Sequence, residues 1–187
     1  TKITFLRLFP TMFRKLLNSE LNRITPEEFK LKKKLPVTVV LDNIRSQHNI
    51  GSAFRSCDAF LVEKLILCGI CAVPPTAEIH KSALGAEFSM EWEYFEKATE
   101  AVHGLKDEGY VIVSVEQTEH STLLKDFHPE EGVKYAFIFG NEVRGVQQEV
   151  VNMSDICLEI PQYGTKHSLN VSVSIGVVLW DVVSKIF

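Results

Sequence analysis

The 187-residue sequence lacks most of the short motifs that reveal a function at once. No two of its ten glycines stand one residue apart, and no glycine is followed by Lys and then Ser or Thr. Loops with those spacings hold dinucleotides and nucleotide phosphates, so their absence argues against the common proteins of both kinds. The six histidines are scattered, and no Ser-His-Asp order or metal-ligand cluster is present. We therefore expect neither a metal centre nor covalent catalysis.

Cysteine is also scarce, with four residues and one close pair, Cys68 and Cys71. A zinc site needs a second ligand pair, which the sequence does not supply, so buried structural thiols are the preferred interpretation. Without a dense disulfide framework, a reducing cytoplasm is the expected location.

Long hydrophobic runs are missing as well. A membrane helix needs roughly 18 consecutive apolar residues. The longest comparable stretch, at the C-terminus, is interrupted by Ser172, Ser174, Gly176 and Asp181. The sequence thus predicts no membrane-spanning segment.

The net charge of −4 argues against binding nucleic acid over the whole surface, but positive charge is concentrated in the N-terminal fifth. The basic residues there are Arg7, Arg14, Lys15, Arg23, Lys30, Lys32, Lys33 and Lys34. They form either a local phosphate-neutralising face or a solvated lysine-rich linker. We interpret residues 1–35 as a leader and a short basic helical extension, and residues 36–187 as the main domain. The first eleven residues, which precede Met12, are expected to be a loose leader or an expression remnant.

Short apolar runs alternate with helical patterns along the chain. Strands are predicted at residues 37–41, 64–68, 110–115, 135–139 and 156–160, with a weaker one at 90–92. Helices are predicted near residues 25–29, from Asn49, up to and including Leu84, and at 94–108 and 147–153, with a long polar connection at 116–134. Such alternation favours an α/β fold with a mainly parallel sheet flanked by helices.

Three polar loops follow predicted strands, at residues 42–55, 140–145 and 162–170. Ligands of parallel sheets bind beyond the carboxyl ends of the strands, so the three loops are expected to form one site. Asn, Arg, Glu and Ser dominate the candidate polar side chains, and such a set is better suited to positioning a substrate than to covalent chemistry.

The same loops carry motifs that resemble those of the SpoU (TrmH-type) RNA ribose methyltransferases. The first is Asn49-x-Gly51-x-x-x-Arg55 followed by Cys57-Asp58-Ala59-Phe60. The second is Phe139-Gly140-Asn141-Glu142-x-x-Gly145, and the third is Ile160-Pro161-x-x-Gly164-x-x-x-Ser168-Leu169-Asn170-Val171-Ser172-Val173. All three occur in order, and the resemblance extends from about Val37 to the C-terminus.

The resemblance implies a SPOUT fold whose C-terminal segment forms a deep trefoil knot, a feature that general folding rules disfavour. It also implies S-adenosylmethionine as cofactor, S-adenosylhomocysteine as product, tRNA or rRNA as substrate, and a homodimer built through the knot region and C-terminal helix, with active sites that draw on both subunits. The implied catalytic set is Asn49, Arg55, Glu142, Ser168 and Asn170. The implied cofactor-binding set is Glu116, Gln117, Phe139, Gly140, Asn141, Ile160, Gln162 and Leu169.

Methyl transfer to a ribose 2′-hydroxyl demands alignment and removal of one proton. A guanidinium is a poor base because its pKa lies above about 12, so Arg55 is interpreted as a phosphate clamp and alkoxide stabiliser. Glu142 is a candidate base, with Ser168 and Asn170 fixing the geometry, although each could instead hold the loops together. Val143 and Gln162 depart from many relatives, in loops expected to face cofactor or RNA. The alternatives are a non-catalytic knotted RNA-binding protein and a SPOUT enzyme that methylates a base.

The segment after Asn170 is ambiguous. Residues 171–175 alternate with period two, as a strand would, whereas Val177 to Val183 are apolar nearly all round, as in a buried helix. With Ser168 as a cap and the family precedent, a helix is predicted, at the dimer interface.

Overall fold

The computed structural model describes residues 13–186, so the predicted leader of eleven residues, with Arg7, lies outside the described residues. Helix α1 (Pro26–Leu31) begins at the predicted position. The Thr25 hydroxyl accepts from the Glu28 amide at 3.2 Å, and the Glu28 carboxylate accepts from the Thr25 amide at 2.8 Å. This reciprocal capping satisfies two amides that the helix itself leaves without partners.

Seven strands within the described residues form one parallel sheet, which confirms the predicted α/β class. They are β1 (Leu35–Asp42), β2 (Val62–Cys68), β3 (Trp92–Phe95), β4 (Val111–Val115), β5 (Thr122–Leu123), β6 (Tyr135–Phe139) and β7 (Ile156–Glu159). Their order across the sheet is β3-β2-β1-β6-β4-β7-β5, and every neighbouring pair is parallel. β1 and β6 lie at its centre, and both of their carboxyl ends lead into predicted motif loops.

Helices cover both faces of the sheet. They are α2 (Gln47–Ala59), α3 (Ala77–Ala83), α4 (Ala86–Ser89), α5 (Ala98–Asp107), α6 (Gln148–Met153) and α7 (Val171–Ile186). Alternate residues of β1 divide between the two faces: Val39 and Leu41 pack with α2 and α7, whereas Val40 packs with α5 and α6. Both faces are buried, as the near-continuous apolar composition of these strands requires.

Several predicted boundaries were wrong, and one strand was not predicted. β2 begins at Val62 rather than at residue 64. The strand predicted at 90–92 lies at Trp92–Phe95, because Tyr94 and Phe95 pair with Leu67 and Cys68 of β2. The following helix consequently begins at Ala98 rather than at residue 94. The predicted connection at 116–134 contains β5, which pairs with β7. Helix α2 begins two residues before Asn49, capped by Ser46.

The prediction of a helix after Asn170 is confirmed, but its predicted cap is wrong. Asn170, not Ser168, caps α7: its side-chain oxygen accepts from the Ser172 amide at 2.9 Å, and its carbonyl accepts from the Ser174 amide at 3.0 Å. Tertiary burial of Ile175, Val178 and Val182 against the sheet outweighs the strand-like alternation.

The paired cysteines are structural thiols, as predicted. Cys68 and Cys71 are buried, and Cys71 Sγ accepts from the Ile44 amide at 3.2 Å and donates to the Leu41 carbonyl at 3.4 Å. Burial raises the pKa of the Cys71 thiol to about 11, so it is protonated at neutral pH. Among residues 13–186 no helix is both long and apolar enough to cross a membrane.

Candidate functional site

At the carboxyl edge of the sheet, the predicted loops at residues 140–145 and 162–170 contribute to the lining of a cavity of about 720 Å³, whereas none of residues 42–55 lines it. That volume lies within the range of small-molecule sites. The strand ends that open into it belong to β4, β6 and β7. The cavity is lined by residues 115–118, 139–146, 158–160 and 167–171 together with Gln148, Val151, Gln162 and Ser174.

The loop after β6 is closed by its own backbone. Asn141 and Gly145 exchange hydrogen bonds at 3.0 and 2.8 Å, and the Asn141 side-chain oxygen accepts from the amides of Val143 and Arg144. A Cβ on Gly140 would lie 2.0 Å from the Gly145 carbonyl carbon, so glycine is required by close approach. This loop is therefore fixed before any ligand binds.

Glu116, directly after β4, forms a hydrogen bond with the same loop. Its carboxylate accepts from the Val146 amide at 2.9 Å and from the Gln117 amide at 2.9 Å. Gly145 has φ +68°, and a Cβ there would lie 2.1 Å from Glu116 Oε2. The predicted cofactor residue Glu116 thus also holds the loop that forms the cavity wall.

Glu142 fastens the loop after β6 to the start of α2. Its carboxylate accepts from the amides of Arg45 and Ser46, each at 3.0 Å, and from Asn49 Nδ2 at 3.1 Å. Partial burial raises the pKa of Glu142, but these hydrogen bonds and one from its own amide outweigh burial and lower the pKa below its ordinary value. A carboxylate so stabilised is a poor proton acceptor, and the geometry favours a positioning role over the candidate role of base.

Asn49 carries this connection on to the third loop. Asn170 Nδ2 donates to Asn49 Oδ1 at 3.3 Å, while Asn49 Nδ2 donates to Glu142. Asn49 is buried, so both ends of its amide need such partners. One amide side chain thereby joins all three motif loops.

Arg55 and Ser168, predicted as catalytic, lie apart from this connection. Arg55 is exposed, six residues along α2 from Asn49 and hence about 120° round the helix, and within residues 13–186 it makes no side-chain hydrogen bond. Ser168 lines the cavity in an exposed position. The described chain alone therefore brings together Asn49, Glu142 and Asn170, but not Arg55.

All eight predicted cofactor residues line the cavity: Glu116, Gln117, Phe139, Gly140, Asn141, Ile160, Gln162 and Leu169. Gln117 also donates from Nε2 to the His167 carbonyl at 2.8 Å, which holds the loop after β7 against the loop after β4.

Sequence reasoning missed one residue that lines the cavity, Thr118, and one buried carboxylate near it, Asp42. The Thr118 hydroxyl oxygen is buried at the cavity and has no hydrogen-bond partner within residues 13–186. Asp42, fully buried at the end of β1, accepts from the Gln147 amide at 2.8 Å and from Gln147 Nε2 at 2.7 Å. Asp42 ends an apolar strand, and a buried carboxylate of that kind needs donors, which was the available signal.

Within residues 13–186, no group of three or more His, Cys, Asp and Glu side chains is arranged to hold a metal ion.

A family model described as "SpoU rRNA Methylase family" matches residues 36–180, most of the chain. The chain belongs to the SpoU rRNA methylase family. This confirms the resemblance of the three motifs, and the match includes every residue of both predicted sets.

Two curated relatives of the SpoU chain are tRNA (guanosine(18)-2′-O)-methyltransferases. The protein from Aquifex aeolicus is 31% identical over 153 residues, covering 80% of this chain and 70% of the relative. That from Thermus thermophilus is 30% identical over 167 residues, covering 87% and 82%. A third relative, the 23S rRNA (guanosine-2′-O-)-methyltransferase RlmB of Neisseria meningitidis, is 30% identical, and the chain covers only 56% of its length.

Solved structures agree with this placement. The crystal structure of the A. aeolicus TrmH/SpoU tRNA modifying enzyme superposes with a TM-score of 0.75 and 25% identity, covering 86% of this chain and 81% of that one. The SpoU methyltransferase AviRb from Streptomyces viridochromogenes, in complex with AdoMet, gives 0.71 and 25%, covering 79% and 59%.

Proposed function

We propose that the protein transfers a methyl group from S-adenosylmethionine to a ribose 2′-hydroxyl of tRNA or rRNA. The observation that carries this proposal is that the second and third family motifs line one cavity and that Asn49 of the first motif is hydrogen-bonded to both of them. Relatives whose names specify guanosine 2′-O-methylation of tRNA and rRNA support it.

The cavity suits S-adenosylmethionine in size and chemistry. The apolar side chains of Ile160 and Leu169 offer a surface for the adenine, and the unpartnered Thr118 hydroxyl is a hydrogen-bonding group in need of a partner. Gly140 and Gly145 allow one wall of the cavity to pack closely on its own backbone and on Glu116. When bound, the cofactor supplies a methyl group on a sulfonium, a leaving group that needs no acid.

The residues of the chain then have to align the ribose and stabilise its developing oxyanion. We assign Glu142, Asn49 and Asn170 to positioning, because they hold the loops to one another. We assign Arg55 to clamping a phosphate and stabilising the alkoxide, because its guanidinium is exposed and forms no ion pair within residues 13–186. Ser168 faces the cavity and is assigned to local substrate geometry.

The proposed working form is a cytoplasmic homodimer with a knotted C-terminal region. The exposure of Val173 and Trp180 on α7 supports burial of that helix against a second copy, and the separation of Arg55 from Asn49 supports a site completed by both subunits. The Gln117–His167 contact supports passage of the last loop beside the loop after β4, as a knot requires. Residues 36–187 are the proposed catalytic domain, and residues 1–35 its basic extension.

The test is methylation of bulk tRNA and rRNA with isotopically labelled S-adenosylmethionine, followed by digestion to nucleosides. Label in 2′-O-methylnucleosides is the expected result. Label on a base would favour the alternative SPOUT base methyltransferase. Binding of the cofactor and RNA without any transfer to either RNA would favour the non-catalytic RNA-binding alternative.

A further inference from the structure

The rim of the cavity, meaning here the lining residues Val143 and Arg144 and Tyr163 next to the lining residue Gln162, carries three exposed side chains for which the methyl-transfer chemistry has no use. Val143 and Tyr163 are 79% and 91% exposed, and Arg144 is exposed between Val143 and Gly145. Val143 and Arg144 belong to the loop after β6, and Tyr163 to the loop after β7. Both loops line the cavity.

Arg144 is the one lysine or arginine among the described residues that line the cavity. Its guanidinium makes no hydrogen bond or ion pair within residues 13–186, and the adjacent Glu142 carboxylate is already engaged with Arg45, Ser46 and Asn49. A guanidinium displayed in this way is available to an anion from outside.

The backbone that carries Arg144 is rigid. The Asn141 side-chain oxygen accepts from the Val143 and Arg144 amides at 3.0 and 3.1 Å, and the paired Asn141 and Gly145 close the loop. Little backbone entropy is therefore lost when this tip contacts a ligand.

We infer that Arg144 and Tyr163 grip the RNA at the rim, Arg144 by a backbone phosphate and Tyr163 by stacking on a base. The inference rests on the proposed function and deepens it. Because Arg144 is exposed at the rim, a phosphate of a bound macromolecule can reach it. A cation that binds the carboxylate of an enclosed cofactor would instead be expected inside the cavity. Exposed aromatic rings beside cationic groups are the usual means of holding single-stranded RNA.

The test measures the affinity of bulk tRNA for the full chain, saturated with S-adenosylhomocysteine, between about 50 and 200 mM salt. Arg144→Ala is expected to weaken binding and to reduce the slope of log affinity against log salt by about one, and Arg144→Lys to restore much of that slope. Tyr163→Ala is expected to weaken binding roughly tenfold with the slope unchanged, and Tyr163→Phe to bind as the parent does. Lys97→Ala, which removes an exposed charge beyond β3 at the far edge of the sheet, is the matched control and should leave both quantities unchanged.

Affinity for S-adenosylhomocysteine, measured in parallel, separates the outcomes. Arg144→Ala variants that lose the product but keep tRNA binding would assign this arginine to the cofactor carboxylate and overturn the inference. If the parent binds tRNA and S-adenosylhomocysteine, and Arg144→Ala and Tyr163→Ala bind tRNA as tightly as the parent, the inference is overturned and the proposed function stands. A parent that binds neither ligand would instead contradict the proposed function.

Discussion

The loops after β6 and β7 line the same cavity but are held in very different ways. Within residues 140–146, the backbone closes on itself, and Glu116, Asn43 and α2 all bind the loop, the last through Glu142. Residues 163–170 are all exposed, and within the described chain the hydrogen bond from Gln117 to His167 is the one that holds residues 162–169 from outside. Segments with few contacts are the ones that open locally. We therefore expect residues 140–146 to be a preformed wall of the cavity and residues 163–170 to be a second wall that closes on the ligand.

The largest expected effect is on the rate of methyl transfer, when the hydrogen bonds between the preformed wall and the start of α2 are removed. Glu142→Ala removes the acceptor of the Arg45 and Ser46 amides, just before α2, and of the Asn49 side chain, so the first and second loops lose their connection. Misplacement of a reacting group by about 1 Å can cost roughly a hundredfold in rate, and we expect methyl transfer to fall at least that far. Single-turnover assays measure it.

Glu78→Ala serves as the control, because Glu78 is an exposed carboxylate on α3 whose side chain pairs with Lys81 away from the cavity. Equal rates for Glu142→Ala and the parent would remove Glu142 from the positioning role.

Crowding the preformed wall should have the next largest effect. Gly145→Ala combines a left-handed backbone with a Cβ 2.1 Å from Glu116 Oε2, whereas Gly109→Ala, with φ +83°, meets no atom within 4 Å. Backbone strain alone costs about 1–2 kcal/mol, which both variants should lose in denaturant unfolding. Only Gly145→Ala should also lose affinity for S-adenosylmethionine in calorimetry. An unchanged cofactor affinity would contradict the structural role of the Gly145–Glu116 contact.

Asn170→Ala tests the hydrogen bond that joins the end of the loop after β7 to Asn49 of α2. It removes the cap of α7 and the link to Asn49, and loss of a cap costs about 1 kcal/mol. Thr76→Ala removes the cap of α3, where the Thr76 hydroxyl accepts from the Ile79 amide, and should lose similar stability. We expect calorimetry to show weakened cofactor binding in Asn170→Ala alone. Equal binding by both variants would show that Asn170 is merely a cap.

The smallest effect concerns pH. Because hydrogen bonds lower the pKa of folded Glu142 below the ordinary value near 4.5, its charged form stabilises the fold above that pH, and this stabilisation is lost as pH falls through the folded pKa. The difference in melting temperature between the parent and Glu142→Gln should be constant from about pH 7 to about 5 and shrink below 4.5. A difference that persists unchanged at about pH 3 would contradict the lowered pKa.

The sequence predicted the sheet class and the loops far better than the contacts between the loops. The strand of residues 135–139 was placed correctly because a buried parallel strand is apolar throughout. The roles of Glu142 and Asp42 could not be predicted, since their partners lie 93 to 97 and 105 residues away in the chain. Local patterns also misplaced β3 and the cap of α7, because pairing with β2 and burial of the helix face depend on tertiary structure.

Hydrogen–deuterium exchange, with and without saturating S-adenosylmethionine, tests most directly whether this cavity holds the cofactor. We predict that the cofactor strongly slows amide exchange in residues 161–170. Little change is expected in residues 140–146, whose amides are already engaged in hydrogen bonds within the loop. Protection confined to another region, such as the lysine-lined groove near Lys33 and Trp92, would contradict the account, as would unchanged exchange in residues 161–170 under demonstrated saturation.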